Sequence, residues 1–309
     1  MKIVVVIPVC NEQHTLETLT EGIVAQLSEQ DYRILFVDDG STDTSYRTLL
    51  ALRKTNDRIG VIKFAENSGK TRALHVAFSR IDADVVVTMD ADLQDDPKEL
   101  PRLLAALDEG LDLVCGWKEK RHDPLHKTLP SKVYNGLITR LFGIDIHDVN
   151  TGFKAMRGEV ARSLTLYADF HRLLPVMAAQ GGYRVGEIPV EHHPRRFGKS
   201  KYGFSRFYEG VRDAGRLWFG ARAERFAWIS VARFRIGLGV GLLLLMLGTL
   251  LSWGGVDGMV GVTLIVAGFL LASVSLTLAV VGTLSRAVGS LAEEEAQWIG
   301  IEEEHVGTS

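Results

Sequence analysis

Strand-like and helix-like segments alternate through residues 2–117, and this alternation restricts the fold more than any other feature of the 309-residue chain. Apolar, β-branched runs fall at 2–9, 33–37, 59–64, 84–89 and 112–117. Between them, segments around 15–27, 44–54, 71–80 and 98–109 carry apolar residues at helical spacing. Such a succession needs crossover connections, so it predicts an α/β domain built on a doubly wound, mostly parallel sheet. Two helix starts are marked, by Thr42-Asp43 before the second helix and by Asp96-Pro97 before the fourth.

In a parallel sheet the carboxyl ends of the strands share one edge, where open α/β folds place their ligands. Four of these ends carry polar groups. The first run continues as Pro8-Val9-Cys10-Asn11-Glu12, the second as Val37-Asp38-Asp39-Gly40-Ser41, and the third leads into Asn67-Ser68-Gly69-Lys70. The fourth ends in Asp90-Ala91-Asp92-Leu93-Gln94. Any one of them reads as a turn; four on one edge read as a site. Paired carboxylates near an amide oxygen are hard ligands suited to Mg²⁺ or Mn²⁺, ions that in turn carry phosphates.

Two common phosphate motifs are missing. A P-loop needs a glycine five residues before Gly69, and Phe64 stands there. No Gly-x-Gly-x-x-Gly follows the first strand, which removes the dinucleotide-binding fingerprint. His192 and His193, adjacent on a strand, point to opposite faces and read as structural. His171-Arg172, ahead of an apolar helix, reads as a flank of the site.

The chain changes character after Trp117. Residues 118–122 form a basic loop, and 130–142 and 204–226 are amphipathic at helical spacing. Two uncharged runs follow, 236–253 and 259–284, separated by a short polar turn. At about 20 residues per span, each is long enough to cross a bilayer as a helix. A transmembrane hairpin is therefore expected within 226–290, with both amphipathic helices at the membrane interface. Arg222, Arg225, Arg233 and Arg235 before the first run, and Arg286 after the second, put both ends and the domain 1–225 in the cytoplasm. Nothing near Met1 reads as a signal peptide. Cys10 and Cys115 sit in strand-like runs and read as buried, reduced thiols. The net charge of −3 argues against a nucleic-acid partner. The acidic stretch within 291–309 reads as a solvated tail.

The strand-end set Pro8-x-x-Asn11-Glu12, Asp38-Asp39-Gly40-Ser41, Asn67-x-Gly69-Lys70 and Asp90-Ala91-Asp92-Leu93-Gln94 resembles the family 2 glycosyltransferases. Asn150-Thr151-Gly152-Phe153-Lys154 and the segment 195–202, Arg195-Arg196-Phe197-Gly198-Lys199-Ser200-Lys201-Tyr202, narrow the resemblance. They are similar to the polyprenyl-phosphate glycosyltransferases: the dolichyl-phosphate mannose synthase group and its membrane-anchored bacterial undecaprenyl-phosphate relatives. The similarity spans about residues 2–225.

The resemblance implies a GT-A fold, Rossmann-like and doubly wound, followed by the two-helix hairpin. It implies a nucleotide-sugar donor held by Pro8, Val9, Asn11, Glu12, Val37, Asp39, Lys70, Asp90 and Ala91. Asp92 and Gln94, with Asp90, would hold Mg²⁺ or Mn²⁺. Asp90, Asp92, Arg195 and Lys201 would be catalytic, the two cations reaching the diphosphate or the acceptor phosphate. Arg121, Ser131 and Lys132 would grip the phosphate of a polyprenyl acceptor. Lys118 departs from the family pattern, in which arginine is more usual there. A homo-oligomer is also implied.

The chemistry is consistent with these residues. A nucleoside diphosphate leaves with developing negative charge, which a metal and Arg or Lys stabilise. A phosphate monoester acceptor, with a second pKa near ~6, is largely ionised at neutral pH and needs position more than a general base. The expected reaction is inverting, metal-dependent transfer of one sugar at the cytoplasmic membrane face. The alternatives are a processive polysaccharide synthase of the same superfamily and a degenerate nucleotide-binding scaffold. The first needs several spans and usually a Gln-x-x-Arg-Trp motif, whereas only two spans are read and the motif is missing. Intact acidic and basic motifs oppose the second.

Overall fold

The structure is a computed structural model. It describes residues 1–119, 125–166, 169–195, 210–218, 239–251, 253, 260, 262–274, 276 and 301–305, with 125–132 and 301–305 in backbone only. The elements run β1 (Lys2–Val9), α1 (Leu16–Leu27), β2 (Asp31–Asp38), α2 (Ser45–Thr55), β3 (Ile59–Phe64), α3 (Lys70–Arg80), β4 (Val85–Thr88), α4 (Leu100–Asp108) and β5 (Leu113–Trp117). Then follow α5 (Leu125–Phe142), β6 (Lys154–Arg157), α6 (Gly158–Ser163), α7 (Leu174–Gln180), β7 (Val185–Pro189) and β8 (Ile301–His305). Each strand and helix expected before residue 118 is present.

One sheet holds all eight strands in the order β7-β5-β6-β4-β1-β2-β3-β8. β1 pairs in parallel with β2 and β4, β2 with β3, and β5 with β7. β6 runs antiparallel between β4 and β5, so the sheet is mixed rather than uniformly parallel. The chain steps outward from β1 to β3, then returns to the other side of β1 as β4. That reversal opens a crevice at the carboxyl ends of β1 and β4.

The strands read as apolar runs because helices cover the sheet. Ile3, Val5 and Ile7 of β1 are buried with Leu16, Leu19 and Ile23 of α1 and Leu100, Leu103 and Leu107 of α4 in one core. α3 packs on β1 and β2 with Leu74, Ala77 and Phe78 buried. Each such side chain contributes roughly 1.5–3 kcal/mol on burial, enough to hold the strand ends in register. Asp96 caps the turn before α4 by accepting from the Lys98 N–H at 3.0 Å, as the Asp-Pro signal implied.

Three findings depart from the sequence reading. Residues 301–305, expected in a solvated tail, pair antiparallel with β3 through Ile301 opposite Phe64, Glu303 opposite Lys63, Glu304 opposite Ile62 and His305 opposite Val61. Cys10 is not buried in a strand; it lies just past β1, half-buried, and its Sγ accepts from Asn67 Nδ2 at 3.1 Å. The amphipathic helix at 130–142 begins earlier, at Leu125. Cys115 is buried in β5, where burial pushes its thiol up to about 12.

The chain divides into two compact units, Met1–Ala214 with Glu295–Ser309, and Gly215–Glu294. In the second unit, 239–251 and 262–274 are helical. Their backbones meet at two glycines: a Cβ on Gly268 would lie 2.6 Å from the carbonyl oxygen of Gly241. Leu243, Met246, Leu250, Phe269 and Val274 are exposed there. Among the described residues no helix is long and apolar enough to cross a membrane. Parts of both runs, 236–253 and 259–284, and the turn between them lie outside the described residues. So do parts of the amphipathic stretch 204–226, of which 210–218 is helical.

Candidate active site

The ends of β1, β2 and β3 are tied into one framework. Asn11 has a φ of 59°, a left-handed conformation that asparagine tolerates better than most residues. Its Oδ1 accepts from the Thr42 N–H at 2.8 Å and the Asp43 N–H at 3.2 Å, and its own N–H donates to Ser41 Oγ at 3.0 Å. The Glu12 N–H donates to Ser45 Oγ at 2.9 Å. The Asp39 carboxylate accepts from the Ser68 N–H at 2.6 Å and the Gly69 N–H at 2.9 Å. Gly40 allows a close approach of the two loops, because a Cβ there would lie 2.5 Å from the Asn67 nitrogen. Asn11 and Asp39, expected to touch a donor, therefore also hold the loops. Val9, Val37 and Ala91 are buried, so none of their side chains lies open at the edge.

The acidic cluster follows β4. Leu93 also has a φ of 59°, a strained turn for a leucine, and its side chain packs against the core. The turn lets the Gln94 N–H donate to Asp92 Oδ1 at 3.2 Å. Asp90 pairs with Lys70 from the first turn of α3. Burial raises the Asp90 carboxyl, but Lys70 and Lys118 outweigh it and hold the pKa near about 2. Asp92 goes the other way. Burial, then Asp90, then Asp95 push its pKa up to about 6 against the opposing pull of Arg195. Arg195 joins the cluster by pairing with Glu12 and by standing 3.9 Å from Asp92.

Residues given no binding or catalytic role from sequence complete the cluster, among them His171, which was read as a flank of the site. Lys118 Nζ lies 2.9 Å from Asp95 Oδ1 at the carboxyl end of β5, a fifth strand end on the same edge. Thr88 Oγ1 donates to the Gly152 carbonyl at 2.8 Å, and a Cβ on Gly152 would lie 2.4 Å from Asp90 Oδ2. Lys154 is buried at the start of β6 and hydrogen-bonds the Thr151 carbonyl; burial holds its ammonium below the ordinary value. Thr71 Oγ1 and His171 Nδ1 are 2.7 Å apart. Burial, with Lys70 and Arg172 nearby, keeps the His171 imidazole well below its ordinary range and neutral.

The donor set fits a divalent ion. Asp92 is raised first by burial and then by Asp90 and Asp95, a group of carboxylate oxygens of the hard kind that a divalent ion takes. A second group lies alongside: Asp96, Glu191 and His193 bring one ligand atom each within 4.8 Å of one another. His193 is thus drawn into a polar group with Asp96, 3.0 Å away, and its N–H donates to the Gln94 carbonyl at 2.8 Å. Arg121 and Lys201 lie outside the described residues, and Ser131 and Lys132 are described only as backbone of α5.

Comparison with known proteins points one way. Residues 4–165 match the family model described as glycosyl transferase family 2. The chain is 32% identical over 257 residues to dodecaprenyl-phosphate galacturonate synthase of Rhizobium johnstonii, covering 80% of this chain and 75% of that one. It is 37% identical over 216 residues to undecaprenyl-phosphate 4-deoxy-4-formamido-L-arabinose transferase of Klebsiella pneumoniae, covering 69% of this chain and 66% of that one. Glucosyl-3-phosphoglycerate synthase from Mycobacterium tuberculosis, solved with Mn²⁺, UDP-glucose and phosphoglyceric acid, shares the fold. Its TM-score is 0.55 at 19% identity, over 71% of this chain and 79% of that chain.

Proposed function

Because the chain belongs to glycosyl transferase family 2, we propose that it moves a single sugar from a nucleotide-sugar onto a polyprenyl phosphate at a membrane surface. That it is a glycosyltransferase follows from the family and from its named relatives. The acceptor class is inferred from those relatives, which are polyprenyl-phosphate sugar transferases. One observation carries the mechanism: Asp90 and Asp92 stand at the crevice with Lys70 and Arg195 beside them.

In this reading the framework at Pro8, Asn11, Glu12 and Asp39 seats the nucleoside. Asp90, Asp92 and Gln94 hold Mg²⁺ or Mn²⁺, which when bound supplies Lewis-acid stabilisation of the leaving diphosphate. Arg195 pairs with carboxylates here and would exchange them for the diphosphate once donor enters. The acceptor phosphate oxygen attacks the anomeric carbon as the bond to the diphosphate breaks, with inversion. The acceptor is already an anion, so no carboxylate has to act as a general base. The exposed apolar residues of 239–251 and 262–274, in runs of membrane-spanning length, support an anchor that brings this chemistry to a lipid, with the catalytic unit cytoplasmic.

The test is transfer of label to a polyprenyl phosphate in membranes, from a panel of UDP- and GDP-sugars with Mg²⁺ or Mn²⁺. A chloroform-soluble product carrying one sugar is expected with one of these donors. Polymer as the only product, or no lipid-linked sugar from any donor, would reject the reading.

A further inference from the structure

The strand pairing of β8 places residues 301–305 on the outer edge of β3, the strand whose carboxyl end leads into the loop before Lys70. The chain leaves the first unit at Ala214 and returns to it at Glu295. It then covers the free edge of β3, so that β3 has a neighbour on both sides. The pairing shifts register between Lys63 and Phe64: Phe64 lies opposite Ile301 and Lys63 opposite Glu303, so the extra residue, Glu302, sits in β8 where β3 turns into the loop 65–69.

That loop is held at several points. Its Ser68 and Gly69 amides are bonded to Asp39, Asn67 is bonded to Cys10, and its backbone abuts Gly40. The next residue is Lys70, the partner of Asp90. A shift at the end of β3 must thus be taken up by Asp39, Lys70 or both.

The segment is a poor strand by composition. Glu302-Glu303-Glu304 has low β-propensity, so its extended form depends on pairing rather than local preference. A short strand with few backbone bonds sits at the low-stability end of a fold, where occupancy can vary.

We infer that the β3 edge is a docking surface for this chain's own residues 301–305, and that its occupancy holds the 66–70 loop in donor-binding form. The inference deepens the proposed function and rests on it for the word donor.

Hydrogen exchange and nucleotide binding on the full chain in detergent test it, comparing the native protein with Glu303→Pro and with a deletion of residues 300–309. Faster exchange is expected at Val61–Phe64 and, through the loop, at Ser68–Lys70 in both variants. Affinity for UDP or GDP should fall about tenfold, a coupling of ordinary allosteric size. Unchanged exchange at Val61–Phe64 would overturn the docking, and faster exchange there with unchanged Ser68–Lys70 would overturn the coupling. A native chain that binds neither nucleotide would reject the proposed function instead, leaving the two exchange readouts to judge this inference.

Discussion

Lys118 Nζ stands 2.9 Å from Asp95 Oδ1, and the Asp95 side chain is wholly closed to solvent. Burial pulls the Lys118 ammonium down, but Asp95 and Asp90 more than reverse it, so the lysine stays charged. Lys118→Met leaves Asp95 as an unpaired buried charge and is expected to cost about 3–5 kcal/mol. Adding Asp95→Asn should recover most of that loss. Thermal unfolding of the two single variants and the double variant measures it, and additive losses would contradict the pairing.

Gly152 leaves room for the Asp90 carboxylate. Gly152→Ala should push that carboxylate aside while the protein still folds. Displacement of this order is expected to lower turnover by about 10²-fold. Parallel kcat and melting measurements separate the site effect from general damage.

Asp92 offers a test by pH. Its folded pKa, near about 6, lies above the ordinary value of 3.8. The folded state therefore binds the proton more tightly than the unfolded one. Stability from this group is fully present below 3.8 and is lost as pH rises through about 6. Asp92→Asn should accordingly raise the apo melting temperature at pH 8 by a few degrees, a gain that vanishes below about pH 4. Mn²⁺ should stabilise the native protein and not the variant.

Two donor groups lie side by side, and the ion is expected at only one. Asp92→Asn and Gln94→Ala should weaken Mn²⁺ binding about tenfold or more, whereas His193→Ala leaves it nearly unchanged. Titration followed by electron paramagnetic resonance reads this directly. A loss confined to His193→Ala would move the site to Asp96, Glu191 and His193.

Arg195 connects Glu12 of the first strand end with Asp92 of the fourth. Arg195→Met is expected to lower kcat/KM by roughly 10²–10³-fold, with Arg195→Lys in between, as for loss of a charge-stabilising donor. Equal activity in all three would remove Arg195 from the reaction.

How far the sequence alone reached depended on locality. Asp90–Gln94 was legible because it closes a strand whose apolar run is unmistakable, and Asn11 and Asp39 for the same reason. Lys118 was legible as part of a basic segment, but its pairing with Asp95 was not, because the two stand 23 positions apart and only the folded strand ends bring them together. Gly152 and Lys154 were legible as part of a motif but not in their contacts, because β6 is four residues long and antiparallel, too short for a period to register. Glu302–Glu304 carries a local preference against the strand it joins, so a contact from far along the chain decides its state.

The return of the chain to β3 also has a consequence in time. β3 ends at Phe64, and its outer partner begins only at Ile301. At synthesis rates of about 5–20 residues per second, the rest of the sheet can assemble many seconds before that partner emerges. Through that interval β3 presents an open row of amides and carbonyls to any extended segment nearby. The nascent protein is then most exposed to misassembly at one identifiable edge, and protection there should be the last part of the sheet to appear.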